Sequence, residues 1–299
     1  MKVLITGACG FIGRNLIAEL EERGHELKLV DMTLPKDATV FGGREGRTHI
    51  PLETDWPFIQ AEITDEAAMI EACDGMDAVI NLAGEPRGVP EIAVHTFNTN
   101  ALGTFVVINA AHIAGITRFF CASSINAFGT FYWRLSGKPA PYTTMPLDET
   151  FAVVPEDPYS LSKWVNEATC AAYHRAYGMT AVAFRFAAVW SHEQYEKEFE
   201  AGPQPTTAWS DDLYQWAHVE DVARGIRQAL EAEENAGFGV FTLGAGDTRC
   251  AEPTMSLLER FRPDLAKAVT SPLPYRAPLL SIDRAKRGFG YEPWYRLGA

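Results

Sequence analysis

The sequence predicts an α/β fold in which a doubly wound parallel sheet is followed by a small C-terminal lobe. Short apolar runs of strand length alternate with amphipathic stretches of helix length from residue 2 to residue 243. This alternation is typical of strand–helix–strand units with parallel strands. Glycines follow the first apolar run at Gly7, Gly10 and Gly13. In such sheets ligands lie at the carboxyl ends of the strands, so these glycines mark a candidate site.

The first unit is a strand, a glycine-rich turn and a helix. Residues 2–5 are apolar, the glycines follow at a spacing of three, and residues 15–23 are amphipathic with helical periodicity. Glycine lets the main chain approach a phosphate, and a helix N-terminus offers free N–H groups and a positive dipole end. The unit therefore predicts a Rossmann-type pyrophosphate cradle. Its candidate residues are Gly7, Cys9, Gly10, Phe11, Ile12 and Gly13.

The second predicted strand, residues 26–30, ends at Asp31. A carboxylate about twenty residues past the glycines can accept hydrogen bonds from the adenosine ribose hydroxyls. It would repel a 2′-phosphate, and no Lys or Arg follows before Lys36, so NAD is favoured over NADP. Asp31 and the adjacent Met32 are candidate cofactor residues. The alternative is that Asp31 only begins a turn before Pro35.

The remaining core strands are predicted at residues 57–63, 77–84, 118–124, 180–186 and 238–243, with helices at 65–73, 92–114, 159–177 and 218–231. Residues 187–217 and 251–299 are predicted to form loops and short elements. We therefore expect residues 1–186 with 218–243 to form the NAD-binding core. Residues 187–217 with 244–299 are expected to form a small substrate lobe.

Tyr159 and Lys163 stand four residues apart on a predicted helix, and so share one face. A neighbouring ammonium and an oxidised nicotinamide ring would both lower the tyrosine pKa from about 10. Tyr159 could then take the proton of a substrate alcohol as hydride leaves for NAD. Ser124, at the end of a predicted strand, could hold the same oxygen, and Lys163 could bind the nicotinamide ribose. The alternative is an ordinary solvated pair, which the glycine cradle in the same chain disfavours.

Composition excludes several classes of partner. A net charge of −13 argues against nucleic acids and anionic membranes, which attract basic surfaces. No apolar run reaches the ~18 residues of a membrane span. The five cysteines are scattered without a Cys-x-x-Cys pair, which suggests a cytoplasmic location and no zinc site. His95, His174, His192 and His218 lack metal-ligand spacing, so no metal is expected.

Taken together, the motifs resemble the extended short-chain dehydrogenase/reductase family, in its NAD-dependent epimerase/dehydratase group. The resemblance covers residues 2–245, with a fainter match at 283–293. The matching segments are Thr6-Gly-Ala-Cys-Gly-Phe-Ile-Gly13, Asp31, Asn81-Leu-Ala-Gly84, Asn100-Ala-Leu-Gly-Thr104, Ser123-Ser-Ile-Asn-Ala-Phe-Gly129, Tyr159-Ser-Leu-Ser-Lys163, Arg185 and His218-Val-Glu-Asp-Val-Ala223.

The resemblance implies further roles. Ser124 is the family serine because it lies five residues before Gly129, and Ser123 is the lesser candidate. The family usually has Asp where this chain has Glu62. Cofactor contacts are implied for Glu62, Ile63, Leu82, Ala83, Gly84 and Asn100, in addition to Tyr159 and Lys163. Substrate contacts are implied for Ser124, Asn126 and Arg185. A homodimer formed by the two long helices, near residues 96–114 and 159–177, is also implied.

The segment after Arg185 departs from the family pattern and bears on the substrate. Nucleotide-sugar enzymes of the family usually continue Arg-Pro-x-Asn-Val-Tyr-Gly, whereas this chain reads Arg185-Phe-Ala-Ala-Val-Trp190. Between Arg185 and Arg224 the only cation is Lys197, although a diphosphate favours Arg or Lys contacts. A short lobe of this kind resembles the free-sugar, uronate-type dehydrogenases.

The sequence therefore favours an NAD-dependent dehydrogenase of a small, carbohydrate-like substrate such as a sugar or sugar acid. A nucleotide-sugar epimerase or dehydratase with tightly bound NAD is the alternative. A non-catalytic NAD-binding protein is a third, which the complete Tyr–Lys pair opposes. Arg87 or Arg134 could supply a cation for a substrate carboxylate, unless each is a solvated loop residue. Tryptophans that could face a sugar ring, or simply pack the lobe, are Trp133, Trp190, Trp209 and Trp216.

Overall fold

A computed structural model of the chain describes residues 1–41, 46–131, 134–232 and 237–298, so Trp133 lies outside the described residues. The strands are β1 Lys2–Thr6, β2 Glu26–Asp31, β3 Thr39–Phe41, β4 Arg47–His49, β5 Phe58–Gln60, β6 Ala78–Asn81, β7 Arg118–Ser124, β8 Thr180–Phe186, β9 Val189–Trp190, β10 Ala217–His218 and β11 Phe238–Leu243. The α-helices are α1 Phe11–Glu21, α2 Glu66–Cys73, α3 Ala93–Phe97, α4 Gly103–Ile113, α5 Pro158–Tyr177, α6 His192–Ala201, α7 Val219–Glu231, α8 Thr254–Phe261, α9 Pro263–Ala266 and α10 Asp283–Phe289.

Seven parallel strands form the central sheet in the order β11-β8-β7-β6-β1-β2-β5, which confirms the predicted doubly wound architecture. The order reverses at β1, which pairs with β2 on one side and β6 on the other. In the register Thr6 lies opposite both Val30 and Asn81. The three strands therefore end at the same level, and a crevice opens beyond them.

Apolar side chains cover both faces of the sheet. Along β1, Val3 and Ile5 belong to one buried cluster with α1 and α7, whereas Leu4 belongs to another with α2, α4 and α5. This alternation follows from the two-residue period of a strand. The first cluster continues into lobe residues such as Leu213 and Leu279, so the lobe and the core share buried apolar surface.

Several predicted boundaries were wrong for identifiable reasons. Helix α1 begins at Phe11, four residues earlier than predicted, because the glycine turn passes directly into the helix with Gly10 as its N-cap. The strand predicted at 57–63 is confined to Phe58–Gln60. Beyond it Ile63 turns inward, where its Cδ1 would lie 2.5 Å from a Cβ added to Gly103. The strand predicted at 77–84 ends at Asn81, which leaves residues 82–90 as a loop over the crevice.

The helix predicted at 92–114 exists but is interrupted. A π-helical turn, Asn98–Leu102, separates α3 from α4, and such wide turns occur mostly at functional sites. The structure also contains an antiparallel β3–β4 hairpin and helix α6, which the sequence analysis did not identify. Helix α6 is capped by Ser191, whose hydroxyl accepts from the N–H of Gln194.

The segments of the C-terminal lobe, residues 187–217 and 244–298, are joined to each other by packed side chains and by short main-chain pairings. A small buried cluster contains Trp190, Tyr195 and Trp216, and β9 pairs with β10. The loop before α5 joins the lobe through single bridges from Met145 and Leu147. Among the described residues, no helix is both long and apolar enough to cross a membrane.

Candidate active site

The glycine turn brings two strand ends into main-chain contact. Gly7 has φ +71°, and a Cβ there would lie 2.6 Å from the main-chain nitrogen of Ala83. A Cβ on Gly13 would lie 2.3 Å from the Gly7 oxygen. These positions therefore exclude side chains, and the first turn of α1, including Phe11 and Ile12, presents main-chain N–H groups to the crevice. The arrangement fits the pyrophosphate of a dinucleotide.

Asp31 lies beside this turn at the end of β2. Its carboxylate accepts hydrogen bonds from the N–H groups of Cys9, at 3.0 Å, and Thr33, at 2.9 Å. Burial raises the Asp31 pKa, and the two N–H groups oppose that rise. The Cys9 thiol donates to the Thr33 carbonyl, and burial raises its pKa to about 12. Cys9 thus positions Asp31 through its main chain and is not a reactive thiol.

The other predicted cofactor residues surround the same crevice with unequal exposure. Met32 and Glu62 are exposed, and the Glu62 carboxylate accepts from the Thr64 hydroxyl. Ile63 is buried, so its side chain supports α4. Leu82 and Ala83 are half-buried and Gly84 is exposed. Their contacts with a dinucleotide remain predictions.

Ser124, Tyr159 and Lys163 come together at the ends of β7 and α5. Asp157 caps α5 by accepting from the N–H groups of Tyr159 and Ser160, both at 2.9 Å, which fixes Tyr159 in the first turn. Lys163 Nζ donates to the Ala122 carbonyl at 3.1 Å and lies 5.5 Å from the Tyr159 ring centroid. A hydrogen bond joins Tyr159 and Ser124.

Without NAD in the site the Tyr159 pKa lies above its ordinary value, and the predicted fall with NAD bound stays a prediction. Burial raises the Tyr159 pKa to about 12, against the Ser124 hydrogen bond, and the charges of Asp157 and Glu85 add to the rise. Lys163 is itself buried, which lowers its pKa to about 8. Desolvation is therefore the largest influence on the pKa of each partner in the chain without NAD.

Asn100 supports the site from the π-helical turn. Its side-chain oxygen accepts from the Glu85 N–H at 2.7 Å, and its nitrogen donates to the Glu85 carbonyl and the Ser162 hydroxyl, each at 3.0 Å. Ser162 donates in turn to the Tyr159 carbonyl at 2.7 Å. Asn100 therefore ties the loop over the crevice to the helix of Tyr159, which is a positioning role.

The structure places Arg185 in a buried ion pair, and its substrate contact stays a prediction. Its guanidinium forms a bidentate pair with Glu167 on α5, with both distances at 2.8 Å, and it is buried. The Ser123 hydroxyl donates to the same carboxylate at 2.6 Å. This cluster fixes α5 against β7 and β8 directly behind Ser124. Sequence reasoning missed Glu167, although an acidic residue on the inward face of a predicted helix was a usable signal for a buried ion pair.

Asn126 remains a candidate substrate residue. Its side-chain oxygen is buried and has no hydrogen-bond partner among the described residues. Its main-chain N–H donates to Ser124 Oγ at 3.1 Å. An unpaired buried oxygen is costly, and a substrate hydroxyl could satisfy it.

The two arginines proposed for a substrate carboxylate differ. Arg134 holds its own loop together: it donates to the main-chain oxygens of Gly129 and Lys138 and forms an ion pair with Glu156. Arg87 is 46% exposed and forms a bidentate pair with Glu85. Sequence reasoning missed Glu85, although its position directly after Gly84 was a usable signal.

The three predicted sugar-facing tryptophans that lie within the described residues pack inside the lobe. Trp190 stacks on Trp216 with centroids 4.9 Å apart, and both are buried. Trp209 contacts Tyr214 edge to face. These contacts favour lobe packing over an exposed platform for a sugar ring.

The structure also brings together three possible metal ligands that the sequence spacing did not reveal. One ligand atom each from His192, His218 and Glu220 lie within 4.8 Å of one another. However, His218 Nδ1 accepts from the Glu220 N–H at 3.2 Å, so the neutral ring carries its proton on Nε2. A metal ion at Nε2 would require that proton to move to Nδ1 and break the helix cap. We assign no metal here.

A parallel sheet with a glycine cradle, an acidic residue at the end of β2 and a Ser–Tyr–Lys group defines the chain as a dinucleotide-binding enzyme of the short-chain dehydrogenase/reductase type. A family model described as the NAD dependent epimerase/dehydratase family matches residues 3–244. The chain belongs to this family.

Relatives support that assignment. The chain is 25% identical over 245 residues to a dTDP-glucose 4,6-dehydratase of Streptomyces niveus, covering 77% of this chain and 69% of that protein. It is 30% identical over 213 residues to an NAD-dependent glucose-6-phosphate dehydrogenase of Haloferax volcanii, covering 70% and 76%. A solved dTDP-glucose 4,6-dehydratase of Streptomyces venezuelae with NAD bound shares the fold, with a TM-score of 0.68, 23% identity and coverage of 99% and 93%. NAD is the cofactor of this family, and the cradle and Asp31 fit it.

Proposed function

We propose that this chain oxidises a secondary hydroxyl of a sugar, with Tyr159 as the proton acceptor. The observation that carries the proposal is the convergence of Ser124, Tyr159 and Lys163 at the strand ends beside the glycine cradle. Oxidation of an alcohol needs one group to take the proton and an acceptor for the hydride.

In this proposal each side chain has one task. Ser124 holds the reacting oxygen and Tyr159 Oη takes its proton. Lys163 supports the phenolate that results and binds the nicotinamide ribose. NAD, when bound, supplies the hydride acceptor and a positive ring. That positive charge would oppose the effect of burial on the Tyr159 pKa.

The substrate that fits best is a nucleotide-linked sugar. The reaction would be an epimerisation in which NAD is reduced and then regenerated. The Streptomyces dehydratases and the family match support this class of substrate. Elimination of water would need a further acid and base beside the sugar. The residues that follow Ser124 are Ile125, Asn126 and Ala127, which cannot transfer protons at neutral pH. Oxidation followed by return of the hydride to the other face needs only Tyr159.

A second candidate is net dehydrogenation of a free sugar, sugar acid or sugar phosphate. The acidic segment between Arg185 and Arg224, with Lys197 as its only lysine or arginine, favours it because a diphosphate would meet few cations there. The similarity to the Haloferax glucose-6-phosphate dehydrogenase supports it too.

One experiment separates the two candidates. Purified protein is denatured and its released NAD is quantified, and native protein is then given UDP-, dTDP- and GDP-sugars without added NAD. Copurified NAD with product formation supports the epimerase. Net appearance of reduced nicotinamide with free sugars and added NAD supports the dehydrogenase. Tyr159→Phe should lower either turnover by ~10³-fold or more while NAD stays bound, and near-normal turnover would refute the proposal.

We also propose a homodimer, as the family resemblance implied. Helices α4 and α5 pack together, and with the preceding π-helical turn they expose Leu102, Phe105, Leu161 and Trp164. Exposed apolar groups on adjacent helices favour a protein interface. Light scattering after gel filtration would measure the mass, and Trp164→Glu should shift a dimer towards the monomer.

A further inference from the structure

Glu85 and Arg87 lie next to the proposed catalytic group. A Cβ added to Gly84 would lie 3.4 Å from Lys163 Nζ and 2.8 Å from Asn100 Oδ1. The loop that follows Gly84 therefore starts next to the proposed catalytic lysine. Asn100 holds the Glu85 main chain through two hydrogen bonds. The loop that carries Arg87 is thereby fixed beside Lys163 and Asn100.

Arg87 is held at both its main chain and its side chain. Its carbonyl accepts from the Thr96 hydroxyl at 3.0 Å. Its Nε and Nη2 donate to the two oxygens of Glu85 at 2.6 and 3.0 Å, and Glu85 is only 6% exposed. A buried carboxylate is costly unless paired, and the pairing fixes the guanidinium plane at low entropy cost.

The pairing leaves one edge of the guanidinium available. Arg has five N–H donors, and Glu85 occupies the edge formed by Nε and Nη2. The end formed by Nη1 and Nη2 can still donate two parallel hydrogen bonds. Arg185 and Arg134 do not offer this, because Arg185 is buried against Glu167 and Arg134 is held by main-chain oxygens. Arg87 is by contrast nearly half exposed.

We propose that Arg87 binds an anionic substituent, a carboxylate or a phosphate, carried by the reacting sugar itself. The inference rests on the proposed function, because it takes the oxidised sugar as the ligand. Planar bidentate recognition of such groups is the geometry that a fixed arginine suits best. Glu85 offsets part of the positive charge, so the contribution of Arg87 is mainly directional. Glu85 and Arg87 together would thus select the sugar rather than perform the proton transfer.

Binding to NAD-loaded protein tests the inference by calorimetry. The ligands are matched pairs: glucuronate and glucose 6-phosphate against glucose, and UDP-glucuronate against UDP-glucose. We expect the wild type to bind the anionic member of a pair more tightly than the neutral one. Comparison of the carboxylate ligands with the phosphate ligand shows which anion Arg87 prefers. Arg87→Gln should weaken the preferred anionic ligand ~10- to 100-fold and change the neutral one less than about threefold. Arg287→Gln, at an exposed arginine on α10, is the matched control and should change neither.

Other outcomes would overturn the inference. It fails if the wild type shows no preference for the anionic member, or if Arg87→Gln weakens both members equally. Arg87→Gln leaves Glu85 unpaired, so Glu85→Gln/Arg87→Gln serves as a second variant. It should recover thermal stability without recovering the preference. The proposed function is tested separately by turnover: anion preference without any oxidised or epimerised product would refute that function and uphold the role of Arg87.

Discussion

The cofactor cradle and the C-terminal lobe are built by opposite means. In the cradle the main chain makes the surface: Gly7 and Gly13 leave no room for a Cβ, and the Cys9 N–H holds Asp31. In the lobe large side chains contribute much of the contact, beside main-chain hydrogen bonds such as that from the Ala245 N–H to the Trp216 carbonyl. Trp190 stacks on Trp216, and Asp247 forms a buried ion pair with Arg276. The shape of the cradle therefore depends on a few positions that must be glycine, whereas the structure of the lobe depends more on the packing of large aromatic side chains.

This difference teaches how the two halves respond to change. A side chain introduced into the cradle must displace main chain, so it should weaken NAD binding. If the lobe binds the substrate, as we propose, substitutions there should alter substrate preference while the cradle is preserved, because one fold can accommodate many activities. The predictions below test that contrast at matched positions in the two regions.

The largest effect is expected from a buried ion pair in the core. Glu167→Gln leaves the buried Arg185 with an uncompensated charge, and should lower the free energy of unfolding by about 3–5 kcal/mol. Because Ser123 also bonds to Glu167, turnover should fall as well. Asp247→Asn disturbs the equivalent lobe pair with Arg276 and should cost similar stability without changing NAD affinity. Denaturant unfolding measures the stability of the two variants, and NAD titration measures their cofactor affinity. If Asp247→Asn weakened NAD binding as much as Glu167→Gln does, the contrast between core and lobe would be wrong.

A methyl group in the cradle should act on the cofactor. Gly13→Ala places Cβ against the Gly7 oxygen, so the turn must move, and NAD affinity should fall about 100-fold, equivalent to ~2.7 kcal/mol. The control is Gly244→Ala at the lobe boundary, where the nearest atoms are 3.6 Å away. Its NAD affinity should stay within about twofold of wild type, since that is ordinary van der Waals contact. Tight NAD binding by Gly13→Ala would refute the cradle.

The pH response should report on the boundary between core and lobe, where the His218 ring stacks on Tyr295. Burial lowers the pKa of His218 to about 4 from its ordinary value of 6.5. Because the folded pKa is the lower one, the unfolded chain takes up the proton first as pH falls. Stability is therefore present above pH 6.5 and is lost towards pH 4, by about 2 kcal/mol between pH 7 and pH 5.

His218→Asn removes that titration and retains an oxygen able to cap α7. Unfolding of the variant and the wild type at the two pH values isolates the contribution of His218, because carboxylates titrate in both proteins. If the difference between the two proteins does not depend on pH, this assignment is wrong.

The smallest effect is expected at the lobe surface. Lys286 and Glu292 form an exposed pair at 3.2 Å, and such pairs contribute ~0–1 kcal/mol. Lys286→Ala should change the unfolding free energy by less than about 0.5 kcal/mol. A larger loss would mean that surface charges, and not only buried groups, organise the lobe.

Much of the fold could be predicted from the sequence because its requirements are local. Strands β7, β8 and β11 were predicted at their observed bounds, since strands covered on both faces of a parallel sheet are continuously apolar. The cradle and the Ser124, Tyr159 and Lys163 group were identified from spacing together with strand and helix context and the family resemblance. Spacing could not show how deeply Tyr159 is buried, and burial raises its pKa in the chain without NAD.

The pairings of arginines could not be predicted in the same way. The partner of Arg185 is Glu167, and their contact depends on how α5 packs on β8. The π-helical turn at Asn100 likewise depends on a main-chain partner, Glu85, fifteen residues away. Such contacts are decided by tertiary geometry, which a single sequence does not display.

The interleaving of the lobe with the sheet has a consequence for biosynthesis. Residues 187–217 leave the ribosome before β11, but the Trp216 carbonyl accepts from the Ala245 N–H, and the Tyr195 cluster is completed by Leu297. Until residues 245–297 are made, the aromatic groups of the first lobe segment lack these partners. A nascent chain that has reached residue 243 thus already contains every strand of the central sheet, while the second segment of the lobe is still to be made.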